Sequence, residues 1–385
     1  MHPGKKLRLL HVVHLTDPAA GGAVSATQSM CAALAARGHD VTLLATDPNP
    51  RDEAGPYRFR AFAMEFPPLA VSTGLARAMG EMKGVDLVHI HQLYRFPQSW
   101  AAWFSRRHGI PYCIQPHGSL EPMLYHKRER RVLKRLYETL IENRNLQRAN
   151  GLIYTAEGER DAVAFLHLKP PAFVVPLGVD LPGAVCEKAG LAFRARHGLE
   201  GREIIVWMGR QVPVKGLDIL VRAFAEIAQQ RQQAILVLIG PDTDNYGVTV
   251  LQPLIAELGI ADRVIFTGML TGDEKQGALR AADLFVMPSL TENFALAAIE
   301  AMAQERPVIV SSGVKTASAI AEAGAGLVVA PDAGAVAAAM GSLLDDPARR
   351  GAMGAAARKL AARYAWPAVV EELESAYGAM IAAAA

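Results

Sequence analysis

This 385-residue chain is expected to be an α/β protein with two doubly wound parallel-sheet domains, and three observations carry that expectation. Short runs of Val, Ile and Leu recur along the whole length. Helix-like stretches separate them. The rhythm breaks once, in a Pro- and Gly-rich segment near the middle. Near-continuous apolar strands are buried on both faces, which requires helices on either side of a parallel sheet. Two such sets imply two Rossmann-like domains.

The first set comprises LLHVVHL at 9–15, VTLLAT at 41–46, VDLVHIH at 85–91, IPYCIQP at 110–116, GLIYTA at 151–156 and AFVVPLGV at 172–179. Helical stretches fall between most of these, notably 24–37 and 125–147. The second set comprises EIIVWMG at 203–209, AILVLIG at 234–240, RVIFTG at 263–268, LFVMPS at 284–289 and PVIVSS at 307–312. PLGVDLPGAVCEKAG, without any period, reads as the linker between them. The domains are accordingly expected at 1–182 and 183–366. A helix over PARRGAMGAAARKLAARYAW is expected to end near Trp366, where Pro367 interrupts it. The last helix, 367–385, is then free to pack back on the first domain.

Composition narrows the class. The chain has 40 Lys+Arg against 38 Asp+Glu, a formal charge of +2. That balance excludes the overall basic character of nucleic-acid binders. Cys31, Cys113 and Cys186 lie far apart with no ligand spacing, which excludes a disulfide scaffold and a zinc module and fits a reducing compartment. No apolar run approaches the roughly 18 residues needed to span a bilayer. The start, MHPGKKLRLLHVVHLTD, imitates a signal peptide, but Arg8, His11 and His14 interrupt its apolar stretch, so a buried first strand fits better. A soluble, cytoplasmic protein is expected.

Ligands of open α/β sheets bind beyond the carboxyl ends of the strands. After the first strand, TDPAAGGAVSA carries Gly21 and Gly22 into a helix start, where a phosphate or sugar could approach closely. A tight turn without a ligand reads equally well. The absence of GxGxxG counts against a dehydrogenase. WMGRQVPVKGLDIL is more specific: it sets Arg210 and Lys215 just after a strand and at the mouth of a helix. Two cations there can hold a diphosphate and stabilise its charge as it leaves. An ordinary solvated pair is the competing reading.

PSLTENFALAAIEAMAQERPVIVS is the most informative segment. A strand is expected to end near Ser289, Glu292 to sit in the turn, and Phe294 to Gln304 to form a helix. Glu300 follows Glu292 by eight positions, about 12 Å along a helix. Carboxylates that far apart cannot share a proton as a dyad. They can grip two ends of an extended ligand through its hydroxyls. Between them, the N–H groups of Asn293, Phe294, Ala295 and Leu296 are free donors for an anion. Apolar neighbours surround Glu300, so its carboxylate requires a partner.

The Glu-x7-Glu segment, GRQVPVKG and PLGVD together resemble a family 4 glycosyltransferase of the GT-B fold, two Rossmann-like domains facing across a cleft. PHGSLEP at 116–122 resembles the PHGML-type subgroup of polysaccharide and lipid-linked sugar enzymes. The resemblance covers essentially the whole chain. It implies an acceptor-binding first domain, with the last helix crossing back to it, and a donor-binding second domain. It implies a retaining, metal-independent transfer of a hexose-type sugar from a UDP- or GDP-linked donor to a saccharide or lipid-linked acceptor. Arg210 and Lys215, with Gly209 before them, would bind the diphosphate. Glu292 would contact the sugar and Glu300 the ribose; Gly22 would line the donor site. His117 matches the histidine near the reacting carbon, and Gly268, Met269 and Leu270 would lie beside the base. The catalytic set so implied is His117, Glu292, Arg210 and Lys215, with no cofactor and no metal.

Two positions depart from the family pattern: Ala295 stands where Gly is common, and Leu177 where Asn is usual. Asp242-Thr243-Asp244 spells a metal-binding signature of a different glycosyltransferase fold, yet its context reads as a turn-forming loop. His89, His91, His126 and His167 show no ligand cluster in the sequence, though His91 could line the acceptor side. The stretch 125–148 reads as a basic amphipathic helix with Leu133, Leu136, Leu140 and Ile141 as its apolar stripe. It is either a solvated surface helix or a peripheral contact with anionic membrane at the inner face. The competing functions are a nucleotide-sugar epimerase on the same fold and a catalytically silent nucleotide-sugar-binding scaffold. No nucleic-acid partner is expected.

Overall fold

The structure, a computed structural model, describes residues 6–15, 22–122, 136–182 and 187–384. The chain divides into two compact units, Met1–Gly178 with Trp366–Ala385, and Val179–Ala365.

The first unit holds an eight-stranded sheet. Its strands are β1 (Arg8–His14), β2 (Asp40–Thr46), β3 (Arg51–Ala54), β4 (Arg58–Phe62), β5 (Leu87–His91), β6 (Tyr112–Gln115), β7 (Gly151–Tyr154) and β8 (Ala172–Val174), in the order β3-β4-β2-β1-β5-β6-β7-β8. All neighbours run parallel except β3 and β4. Those two form an edge hairpin that the apolar-run reading missed. Every residue of β3 is exposed, and β4 alternates rather than running apolar. Such a charged edge discourages pairing with another chain.

Each face of this sheet has its own core. Leu10, Val12, Val88, Ile90 and Ile114 point towards the helices Thr73–Glu81 and Phe96–His108. Leu9, Val13, Leu87 and Cys113 point the other way, towards Gly22–Ala36 and the closing helix Trp366–Ala384. That closing helix starts at Trp366, with Pro367 inside its first turn, where no intrahelical N–H is lost. The preceding helix has already ended at Ala362. A Cβ at Gly178 would overlap the Trp366 indole, so the closing helix can dock only against a glycine there.

The second unit holds six parallel strands: β9 (Glu203–Met208), β10 (Ala234–Ile239), β11 (Val264–Gly268), β12 (Leu284–Met287), β13 (Val308–Ser311) and β14 (Gly326–Val329). β14 was not foreseen. The order β11-β10-β9-β12-β13-β14 reverses direction between β9 and β12. The equivalent reversal in the first sheet falls between β1 and β5. At such a point the connections leave in opposite directions and open a crevice above the strand ends. Trp207, Phe224, Leu236 and Val286 are fully buried in the core beneath.

Candidate functional site

The loop after β9 is held from both sides. Gly209 N donates to Ile239 O at 2.9 Å, and Gln211 N to Pro241 O at 3.0 Å. Arg210, between them, is exposed and has no side-chain partner among the described residues. Pro213–Lys215 forms a single 3₁₀ turn closed by Gly216 at φ +66°. A Cβ at Gly216 would land on the Pro288 carbonyl oxygen, so this approach of the β9 and β12 loops demands glycine. Leu290 N donating to Val214 O at 2.9 Å completes the junction. Lys215 thereby reaches the Glu292 carboxylate in an ion pair whose side chains are only 19% and 18% exposed.

The segment around Glu292 is shaped by a tight turn. Glu292 N donates to Gly313 O at 3.1 Å, and Lys315 N to Glu292 O at 2.8 Å. Ala295 then takes φ +58° and ψ +49°, and the helix runs Leu296–Ala303, starting two residues later than the sequence suggested. Phe294 is buried edge-on against Tyr364, with ring centroids 5.3 Å apart, so its side chain anchors the loop and leaves only its backbone to meet a ligand. Among the described residues, no acceptor meets the N–H of Phe294, Ala295 or Leu296. Asn293 is half-buried beside them.

Glu300 has the partner its surroundings require. Lys275 Nζ donates to Glu300 Oε1 at 2.8 Å, both side chains mostly buried. Lys275 lies on the helix Gly272–Ala281, and nothing in its local sequence marks it. Gly268, at φ +68°, ends β11; Met269, 44% exposed, follows it, with Leu270 half-buried beyond. In the Asp-Thr-Asp loop, Asp242 Oδ2 accepts from Val248 N at 3.1 Å, while Thr243 and Asp244 are exposed.

In the first unit, Gly22 opens the helix Gly22–Ala36, and Gly21 lies outside the described residues. His117 sits just beyond β6 in a left-handed conformation at φ +49°, followed by Gly118 at φ +78°. The buried Glu159 fixes this turn: Oε1 accepts from Gly118 N at 2.9 Å, and Oε2 from Thr155 N at 2.7 Å. Sequence reasoning missed Glu159.

The histidines need a correction. His89 and His91, read as unclustered, form one group with His11, all three fully buried, and with the half-buried His117. Parallel register sets His11 beside His89 and His91 beside Gln115, all on one face. His117 Nε2 lies 3.0 Å from His91 Nδ1, and His91 Nε2 lies 2.9 Å from His11 Nδ1. His89 stacks on His91 with centroids 4.0 Å apart, and its Nδ1 meets the Tyr377 hydroxyl at 2.7 Å. His91 is fully buried, so it lines no open surface. Burial lowers the pKa of His11 to about 3 and of His117 to about 4, and holds His89 and His91 well below the usual imidazole range. All four are therefore neutral at pH 7. His11, His89 and His91 offer ring nitrogens within 4.8 Å of one another, a spacing that could suit a metal ion, but both nitrogens of His91 are already engaged by imidazoles.

The first part of the expected basic helix, 125–135 with Leu133, lies outside the described residues. In its described part, Leu136, Leu140 and Ile141 are all exposed. No helix among the described residues is long and apolar enough to cross a membrane.

A family model described as "Glycosyl transferases group 1" matches residues 191–360, and one described as "Glycosyl transferase 4-like domain" matches 21–178. The chain is 31% identical over 320 residues to a D-inositol 3-phosphate glycosyltransferase of Kineococcus radiotolerans, covering 78% of this chain and 73% of the relative. It is 33% identical over 322 residues to the protein of the same name from Mycobacteroides abscessus, covering 80% and 69%. Among solved structures, sucrose-phosphate synthase of Thermosynechococcus elongatus superposes with a TM-score of 0.78 at 24% identity, covering 98% of this chain and 100% of that one. Anabaena HepE in complex with UDP-glucose gives 0.76 at 18% identity, covering 96% and 99%. Fold and matches together define a glycosyltransferase of the GT-B class. The chain belongs to glycosyltransferase family 4.

Proposed function

We infer that the protein transfers a hexose-type sugar from a nucleotide-diphosphate donor, with retention at the anomeric carbon and without a metal ion. The observation that carries this reading is the half-buried Lys215–Glu292 pair beyond β9 and β12, next to the unengaged N–H groups of Phe294 to Leu296. A diphosphate can take Lys215, Arg210 and those N–H groups together. Glu292 is then released to accept hydrogen bonds from sugar hydroxyls. As the bond to the anomeric carbon breaks, negative charge grows on the leaving phosphate, and fixed cations there lower the barrier. With two protein cations available, a divalent ion has no necessary role, and the bond of Asp242 to Val248 N favours a structural part for the Asp-Thr-Asp loop.

Glu300, with Lys275, suits the ribose, and Gly268 to Leu270 the base. The second unit is the donor domain in this reading; the first supplies Gly22, His117 and the acceptor surface. Acceptors to assay are saccharides, lipid-linked sugars and, from the names of the relatives, inositol phosphate.

The test is thermal unfolding with UDP, GDP, ADP and their sugars, with and without EDTA. A nucleotide at 100 times its Kd adds about 2.7 kcal/mol, several degrees in Tm. A shift with one nucleotide, unchanged by EDTA and lost in Lys215→Ala, is the expected result. No shift with any nucleotide refutes the donor site, and a shift abolished by EDTA refutes metal independence.

A further inference from the structure

Beyond the donor site lies a feature that neither the family match nor the proposed reaction accounts for: a line of hydrogen-bonded imidazoles through the first sheet. It begins at His117, passes through His91 and ends at His11, with contacts of 3.0 and 2.9 Å. It sits where the strand order reverses, on β1, β5 and the loop after β6. The far end is closed, because His11 Nε2 is buried with no hydrogen-bond partner among the described residues.

Valence restricts what such a line can do. A neutral imidazole has one N–H and one bare nitrogen. His91 uses both nitrogens, so it donates to one neighbour and accepts from the other. Only two arrangements satisfy both bonds. In one, His11 Nδ1–H donates to His91 Nε2, His91 Nδ1–H donates to His117 Nε2, and the His117 proton is on Nδ1. In the other, His117 Nε2–H donates to His91 and His91 Nε2–H donates to His11, whose own proton is then on Nε2.

The closed end separates the two. The second arrangement buries the His11 Nε2–H donor without an acceptor. The first leaves only a bare nitrogen there, and orphaned donors are the rarer case in proteins. Nor can the line work as a shuttle: a proton leaving His117 outward would need replacement at His11 Nε2, where no donor stands among the described residues.

We propose that His91 and His11 are positioning residues that keep the His117 proton on Nδ1, so that His117 presents a fixed hydrogen-bond donor to an oxygen of the bound sugar. The role given to His117 rests on the proposed reaction; the tautomer does not. His89 supports the line from the side, stacked on His91 and held by the Tyr377 hydroxyl of the closing helix. Glu159 supports it from the front by clamping the turn at Gly118. A donor fixed in this way favours a hydroxyl or ring oxygen over a positively charged substituent at that position.

The test is nuclear magnetic resonance of the full chain with ¹⁵N-labelled histidine, in long-range ¹H–¹⁵N correlations that identify the protonated nitrogen of each ring. In the wild type, His117, His91 and His11 should each carry the proton on Nδ1 from pH 6 to 8. In His91→Phe, which keeps a ring but loses both bonds, His117 should become a tautomer mixture that titrates, and kcat should fall about tenfold, one neutral hydrogen bond. His91→Asn, whose amide can stand in for the Nδ1 donor, should restore most of both. A wild-type His117 protonated on Nε2 overturns the proposal, and that readout needs no variant to fold. An unchanged His117 tautomer in folded His91→Phe also overturns it, as does stoichiometric Zn²⁺ uptake by the wild type that shifts His11, His89 and His91 together. If His117→Ala keeps full activity while the tautomers are as expected, the proposed reaction loses His117 and the positioning line stands.

Discussion

The two sheets solve the same topological problem with opposite materials. In the second unit, β9 and β10 read EIIVWM and AILVLI, and the chemistry is confined to loops beyond their ends. Its charged groups are partly exposed and paired, Lys215 with Glu292 across two loops and Lys275 with Glu300 across two helices. In the first unit, polar side chains enter the sheet itself: β1 reads RLLHVVH and β5 reads LVHIH, and their central histidines are fully buried. A cationic loop can be built on an inert apolar platform. A neutral donor cannot be kept neutral so simply, and here burial is the means.

The largest expected consequence concerns turnover. If the second unit holds charge and the first a neutral donor, Lys215→Ala should lower kcat roughly 10²–10³-fold. His117→Ala should cost about tenfold, one uncharged hydrogen bond. Steady-state kinetics on both variants checks the ranking, and equal losses would break the comparison.

Acid sharpens it next. Free imidazoles titrate near 6.5, whereas burial holds His11 near 3 and His117 near 4. A depressed folded pKa means that their contribution is fully present above pH 6.5 and lost as the pH falls towards 4. At pH 5, His11 alone should withdraw about 2 kcal/mol. The second unit has no such buried histidine among the described residues. Limited proteolysis with a protease active at both pH 5 and pH 7.5 should therefore cut first within 1–178 at the lower pH. First cuts in 179–365 would refute the assignment.

Glu142 adds an opposing trend within the first unit. It is 1% exposed, and desolvation raises its pKa to about 7 despite the Ser99 hydroxyl at 3.2 Å. A raised folded pKa contributes stability below about 4.5 that is lost as the pH rises through 7. Glu142→Gln keeps the acceptor and removes the charge. It should stabilise the protein by about 3 kcal/mol at pH 8 and leave it unchanged near pH 4, measured by denaturant melts.

What the sequence revealed follows the same division. Apolar runs exposed both parallel sheets, because a strand buried on both faces has only one readable composition. They missed β3 and β4, whose residues are charged or alternating, and β14, whose Gly326–Val329 is only partly buried. Arg210, Lys215, Glu292 and Glu300 were legible as candidates because each belongs to a short local motif, three of them in loops after strand ends and Glu300 one helical stretch further on. Lys275 was not, since it meets Glu300 only through the packing of one helix beside another. The histidine line escaped for a related reason. His11 and His91 are eighty positions apart, and only the register that sets His11 beside His89 brings them together.

The smallest expected effect tests how the loop of the second unit is held. Ala295 occupies the left-handed region at φ +58°, which costs an L-residue roughly 1–2 kcal/mol. Glycine removes that strain but adds freedom to the unfolded chain, worth about 0.4–1 kcal/mol in the other direction. Ala295→Gly should thus raise stability by about 0.5–1 kcal/mol net, seen as a Tm gain of a few degrees at most. Phe294 remains wedged against Tyr364 in the variant, so the turn should keep its shape and nucleotide-induced shifts should match the wild type. A loss of stability would mean that the Ala295 methyl, which is buried, contributes more by packing than its backbone strain removes.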